Sequence, residues 1–212
     1  MPTNSSRHRI LQLIAETGKN RPVSAIVFDS TLEEIYKPIL PDAVSCFKTE
    51  LELINGQCIL CDDETDLYSR LSSFVQQNNY PFLYCRDSYI ASQLEMHQIP
   101  FSNANVDFES MQAGITGCEF LIARTGSVLA SSASESGRQM NVFPPVHIVL
   151  AHVSQLVNYP EDAYNAIQEK YGDSLPSTIS TITGPSRTAD IEKTLVLGAH
   201  GPKEFIVFLC IV

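Results

Sequence analysis

A chain of 212 residues with 44% hydrophobic and 18% charged residues, and a mean hydropathy near zero, is long enough to bury one continuous core; it reads as a single domain, 1–212. Its formal charge of −10, with 14 Lys and Arg thinly spread, leaves no basic stripe for phosphate backbones, so nucleic acid is not an expected partner. No apolar run reaches the roughly 18 residues of a membrane span, and residues 1–18 lack a signal-peptide core, so the cytoplasm is the expected location.

The first 20 residues place Ile10, Leu11, Leu13 and Ile14 on one helical face before Gly18, which predicts a lead helix that docks on the body. Val23–Phe28 is an apolar run of strand type, and the prolines at 38 and 41 predict a loop or short helix over 29–41. Val44, Phe47, Leu51 and Ile54 recur at helical spacing, and Asn55-Gly56 stops that helix before a strand at 57–61. The pattern repeats as a helix over 63–78, a strand at 82–85 and a helix over 87–96. Such alternation, with short connectors, predicts an α/β fold: a mainly parallel open sheet with helices on both faces and a Rossmann-like first half, 21–114. The dinucleotide fingerprint GxGxxG is absent, so a nicotinamide site is not expected.

The texture changes in the second half, 115–212. Residues 115–132 read as strand, tight turn at Thr125-Gly126-Ser127 and returning strand, an inserted hairpin or strand pair beside the parallel sheet. A buried strand follows at 146–152, a helix at 159–171, a strand at 178–183 and a last strand at 205–212. Of the six cysteines only Cys58 and Cys61 have ligand-like spacing; no second CxxC follows, and the pair alternates with apolar residues as in a buried strand. Reduced core thiols are the expectation, with no metal and no cluster held by this chain.

Four polar turns close predicted strands, where open α/β sheets place their ligand crevices: Arg124-Thr125-Gly126-Ser127, Gly137-Arg138, the approach to His147, and Gly184-Pro185-Ser186-Arg187-Thr188 with His200-Gly201-Pro202. Arg138 and Arg187 offer rigid forks for a carboxylate or phosphate. Ser127, Ser186 and Thr188 offer neutral donors, while His147 and His200, with Asp190 and Glu192, are the candidate proton carriers. Brought together they would form an anion pocket. The plainer reading makes Ser186 and Thr188 helix N-caps with Asp190 and Glu192 in the first turn, His147 a core residue and His200 a turn residue. It leaves Arg187 unexplained, because a cation at a helix N-terminus gains nothing from the dipole. A hydrolase triad of Ser186, His200 and Asp190 lacks the GxSxG elbow, and a metal site from His147, His200, Asp190 and Glu192 lacks a local ligand motif.

Thr116-Gly117-Cys118 with Ala123–Ser127, the segment from Gly137-Arg138 to Val146-His147-Ile148, and above all GPSRTADIEKTLVLGAHGP at 184–202 resemble the LUD domain of the lactate utilisation protein C family, from about residue 115 to the C-terminus. The resemblance implies a fold related to the sugar-phosphate isomerase and coenzyme A transferase group. It also implies a role in a system oxidising L-lactate to pyruvate, in which iron-sulfur and cysteine-rich partner subunits carry the clusters and this chain carries none. The family usually reads Ala-Glu-Thr-Gly where this chain has Ala123-Arg124-Thr125-Gly126. That exchange predicts Arg124 at the mouth of one pocket with Arg138 and Arg187, held by Asp190 and Glu192 when empty, and an Arg124→Glu variant that folds normally. The alternative is a stand-alone enzyme or sensor of the same fold acting on a sugar phosphate or an acyl-CoA.

Overall fold

The structure, a computed structural model, describes residues 6–19, 37–104, 111–189, 195–198 and 200–212. The strand expected at 23–28, most of the connection over 29–41, and Asp190 and Glu192 lie outside the described residues. Two compact units are present, Met1–Lys37 and Pro38–Val212. In the first, α1 (Ser6–Lys19) carries Ile10, Leu11, Leu13 and Ile14, all exposed.

In the second unit the elements run α2 (Ala43–Leu53), β1 (Gln57–Cys61), α3 (Glu64–Gln77), β2 (Leu83–Cys85), α4 (Ser88–Met96), β3 (Phe101–Ser102) and β4 (Ala113–Thr116). Then follow β5 (Phe120–Ile122), β6 (Ser127–Ser131), β7 (Val146–His152), β8 (Leu156–Val157), α5 (Pro160–Tyr171), β9 (Ile179–Ile182), β10 (Arg187–Ala189), β11 (Leu195–Leu197) and β12 (Glu204–Cys210). Helices α2, α3 and α4 start the same way. Asp42, Asp63 and Asp87 stand at their N-caps and accept the backbone N–H of Ser45, Asp66 and Ile90 at 2.9, 2.8 and 3.0 Å.

The main sheet has six strands in the order β1-β12-β7-β4-β2-β3, every neighbouring pair parallel. Its central strands are apolar on both faces, as parallel strands covered on both sides must be. In β12, Ile206, Phe208 and Cys210 face Leu67, Leu71 and Val75 of α3 and Ile90 and Leu94 of α4. The alternate residues Phe205, Val207 and Leu209 face Phe47 and Leu51 of α2 and Leu121 and Val128 of a second sheet. Phe47 and Leu51 are fully buried, each contributing about 1.5–3 kcal/mol by leaving water. Cys58 and Cys61, three apart on one strand, fall in opposite layers, Cys58 with α2 and Cys61 with α3.

The second sheet runs β8-β5-β6-β9, and Ala163 and Ile167 of α5 cover its outer face at Ile122 and Leu129. The predicted strand pair is present but shorter than 115–132. Ile115 and Thr116 belong to the main sheet, Gly117-Cys118-Glu119 leaves it, and the antiparallel pair within this segment is confined to β5 and β6, around a 3-10 turn at Ala123–Thr125. The helix start expected at Ser186 and Thr188 is replaced by an antiparallel pair, Arg187↔Leu197, Thr188↔Val196 and Ala189↔Leu195. Thr188 is β-branched and suits a strand, and the backbone ladder outweighs the capping preference of Ser and Thr.

Candidate functional site

The two rims of the parallel sheet carry different chemistry. At the amino-terminal rim Pro145 precedes β7 and Lys203 precedes β12; the N–H groups of Lys203 and Glu204 donate to Pro145 O at 2.7 and 3.2 Å. A depression of about 410 Å³ there is lined by the apolar Val142, Phe143 and Pro145 and by His200, Lys203, Gly198 and Gly201. The Ser186 N–H donates to Pro202 O at 2.8 Å, and the Gly198 N–H donates to Ser186 O at 2.9 Å. The two ends of the long motif, GPSR and GAHGP, therefore close on each other beside this depression. Arg187 is exposed and Thr188 half-buried at the start of β10. Among the described lining residues there is a lysine and a histidine and no carboxylate.

His147 is the second residue of β7 and is fully buried, outside this lining. Its Nε2 lies 2.9 Å from Thr116 Oγ1, its ring meets Phe205 edge-on at 5.2 Å, and Nδ1 has no hydrogen-bond partner among the described residues. Burial pushes its pKa down to about 4, so it is neutral at physiological pH.

Arg124, Thr125, Gly126, Ser127 and Gly184 gather against α2. Arg124 Nη1 pairs with Glu50 Oε1 at 2.7 Å, both side chains half-buried, and Ser127 Oγ lies 2.8 Å from Thr183 Oγ1. The carboxylate holding Arg124 thus comes from α2, a partner that the sequence reading did not name. Gly126 is in the left-handed region at φ 58, and a Cβ there would lie 2.2 Å from Leu51 N, so only glycine lets the turn approach the α2 backbone. Thr125 Oγ1 is buried without a hydrogen-bond partner among the described residues. Arg138 is exposed and donates from Nη2 to Ser177 Oγ at 2.8 Å.

At the carboxyl rim, the location general to open α/β sheets, two depressions of about 220 and 260 Å³ share Asp87, Gly117 and Cys118. The larger contains Glu119, whose side chain is 7% exposed. Its Oε1 accepts from Ser131 Oγ at 2.5 Å and Tyr171 OH at 2.7 Å, and its Oε2 accepts from Lys170 Nζ at 2.7 Å. Burial opposes its ionisation, but the hydrogen bonds from Lys170, Ser131 and Tyr171 outweigh it and hold the carboxyl below its usual value. Cys118 is beside it, its thiol pushed up to about 12 by burial, so it is a thiol and not a thiolate near neutrality. No cluster of three His, Cys, Asp or Glu side chains suited to a metal ion occurs among the described residues.

The profile of the LUD domain matches residues 56–210. The chain belongs to the LUD-domain family. A lactate utilization protein C of Shouchella clausii is 38% identical over 185 residues, 85% of this chain and 81% of the relative. An uncharacterized protein of Neisseria meningitidis is 38% identical over 102 residues, 47% of this chain and 42% of the relative, and lactate utilization protein C of Bacillus licheniformis is 38% identical over 96 residues, 44% and 40%. The aligned part thus spans about two fifths of the last two relatives. Among solved structures, a DUF162 family protein of Deinococcus radiodurans superposes with a TM-score of 0.59 at 14% identity, over 79% of this chain and 96% of that one, which shows a shared fold.

Several polar residues at the rims of this LUD domain escaped the sequence reading. Lys203 directly follows the GAHGP segment and had a signal in that position. Asp87 reads as a helix cap, which it is, but its place at a rim depends on β2 lying inside the sheet. Glu119 had no local signal, since its three partners lie 12, 51 and 52 residues away.

Proposed function

We propose that this LUD domain is the cluster-free subunit of a lactate-utilisation system, acting in the cytoplasm, and that its amino-terminal rim binds a small anion of the lactate or pyruvate class. The observation that carries the first part is the 38% identity to the Shouchella clausii lactate utilization protein C across 85% of this chain. Oxidising L-lactate to pyruvate removes two electrons and two protons, which must pass to a redox centre. Cys58 and Cys61 lie in opposite layers of the sheet and cannot grip one cluster together, so the reading assigns iron-sulfur clusters to partner subunits, one of them cysteine-rich.

Support for the anion pocket comes from Lys203 and His200 in its lining and from Ser186, whose backbone joins Gly198 and Pro202 beside it; Arg187 and Thr188 follow Ser186 in the chain, outside the lining, and are proposed to reach a bound anion. In this reading Lys203 and Arg187 supply charge, His200 supplies an N–H donor or a proton acceptor, and the apolar Val142 and Pro145 meet the methyl end of the ligand. Arg138 and the Arg124–Ser127 turn are kept as candidate contacts, and no catalytic step is assigned.

Deleting the gene in its host and scoring growth on L-lactate as sole carbon source tests membership of the system; unchanged growth refutes it. Calorimetry of the purified chain with L-lactate and pyruvate tests the pocket. His200→Ala and Lys203→Ala should each weaken binding, and Arg187→Lys should weaken it despite keeping the charge, because an ammonium lacks the planar fork. Affinity unchanged in all three variants would remove the pocket from the proposal.

A further inference from the structure

The smaller depression at the carboxyl rim is independent of the lactate reading and has its own chemistry. Its apolar wall is made by Leu67, Ile90 and Leu150, from α3, α4 and β7, and Glu64 and Asp87 bring two carboxylates to it. No Lys or Arg is among its described lining residues, so it disfavours an anion.

Tyr68 lines the same space and is 2% exposed. Its ring stacks on His97 at 4.6 Å. Its hydroxyl is not among the buried side-chain atoms left without a partner, so the oxygen reaches the open space of the cavity that Tyr68 lines. Burial first, and then the negative charges of Glu64 and Asp87 nearby, raise the pKa of this hydroxyl. Both carboxylates are half-engaged: Glu64 Oε1 accepts from Tyr89 OH at 2.8 Å and Asp87 Oδ1 accepts from Ile90 N–H at 3.0 Å, leaving Oε2 and Oδ2 open.

Gly117 lies on the same cavity, one residue past the end of β4. It is not in the left-handed region, and a Cβ there would meet only Ile90 Cδ1, at 4.0 Å. Neither backbone conformation nor packing asks for glycine at this position. A side chain would project into space that the protein leaves open.

We propose that this cavity binds a primary ammonium group carried on a small apolar body. Tyr68 Oη, Glu64 Oε2 and Asp87 Oδ2 are three acceptors for the three N–H donors of an ammonium, and the charge is matched by the carboxylates. The Tyr68 and Tyr89 rings suit a cation, and Leu67, Ile90 and Leu150 cover the hydrocarbon. A neutral alcohol of the same shape loses the charge and two of the three donors. A carboxylate meets like charge.

The test is a titration of the ¹⁵N-labelled full chain at neutral pH with n-butylammonium, using n-butanol and butyrate as controls, followed by amide chemical shifts. Saturable shifts centred on the Gly117 amide are expected with butylammonium and not with butyrate, and butanol should bind more weakly. Tyr68→Phe keeps the ring packing and Glu64→Gln alters an exposed helix position, so both variants should fold; each should weaken binding about 3- to 10-fold through the lost hydrogen bond or charge. Absence of saturable shifts, equal binding of the three probes, shifts centred elsewhere, or unchanged affinity in both variants would overturn the proposal. None of these outcomes bears on growth on lactate, so this inference and the proposed function fail separately.

Discussion

Reversing the charge at Arg124 is the sharpest test of how the Arg124–Ser127 turn is held. The Arg124 and Glu50 side chains are 26% and 32% exposed and meet at 2.7 Å, so the pair is screened less than a surface bridge yet still touches water. A charge-assisted hydrogen bond in such a place is worth about 1.5–3 kcal/mol. Arg124→Glu removes it and sets two carboxylates together beside the Gly126–Leu51 contact, which cannot relax because the backbones already touch. The expected loss is about 2–4 kcal/mol, a fall in Tm of roughly 5–15 °C for a chain of this length. That differs from the normal folding expected of Arg124→Glu from sequence, because the Glu50 contact spans 74 residues and has no local signal. Denaturant unfolding of wild type, Arg124→Glu, Glu50→Arg and the double reversal completes a mutant cycle. The double reversal should recover at least half of the summed loss, and the recovery should shrink with added salt. Additive single effects, or a neutral Arg124→Glu, would show that the pair does not hold the turn.

Gly126→Ala should cost at least about 2 kcal/mol, combining a left-handed φ with the 2.2 Å approach to Leu51 N, and should be read by urea unfolding; a neutral substitution would refute the close contact. Because the folded pKa of Glu119 is depressed, its stabilisation is complete above the unfolded value near 4.5 and is lost as pH falls through the folded value. The stability gap between wild type and Glu119→Gln should therefore be widest near neutrality and close on acidification, and a gap independent of pH would exclude an ionised Glu119. His147 has a folded pKa lowered from 6.5 to about 4, so the unfolded chain binds its proton first and stability falls as pH drops between those values. Its imidazole signals should stay those of the neutral ring down to about pH 5 by NMR; titration near 6.5 in the folded protein would contradict its burial.

Local chemistry along the chain was sufficient for the order and type of most elements. Apolar periodicity announced the helices that Asp42, Asp63 and Asp87 cap, the apolar runs at 57–61, 146–152 and 205–212 announced buried strands, the last of which ends at Cys210, and the alternation of Cys58 and Cys61 with apolar residues announced core thiols. Those signals are legible because caps and periodicity act over a few residues. The long motif at 184–202 stood out as polar turns, but whether Arg187–Ala189 opens a helix or pairs antiparallel with Leu195–Leu197 is decided across the strands, which no cap preference encodes.

Tertiary structure alone decided which rim each polar turn occupies, because an apolar strand reads the same whichever of its ends meets a crevice. Strand order placed the approach to His147 at the amino rim and Gly117 at the carboxyl rim, and sealed His147 between neighbouring strands. It also gave Arg124 its Glu50, across 74 residues, and Glu119 its Lys170 and Tyr171, across 51 and 52. Charge pairs at such separations leave no trace in local sequence. They form where packing brings two side chains into the same half-dry space, and the packing is a property of the whole chain.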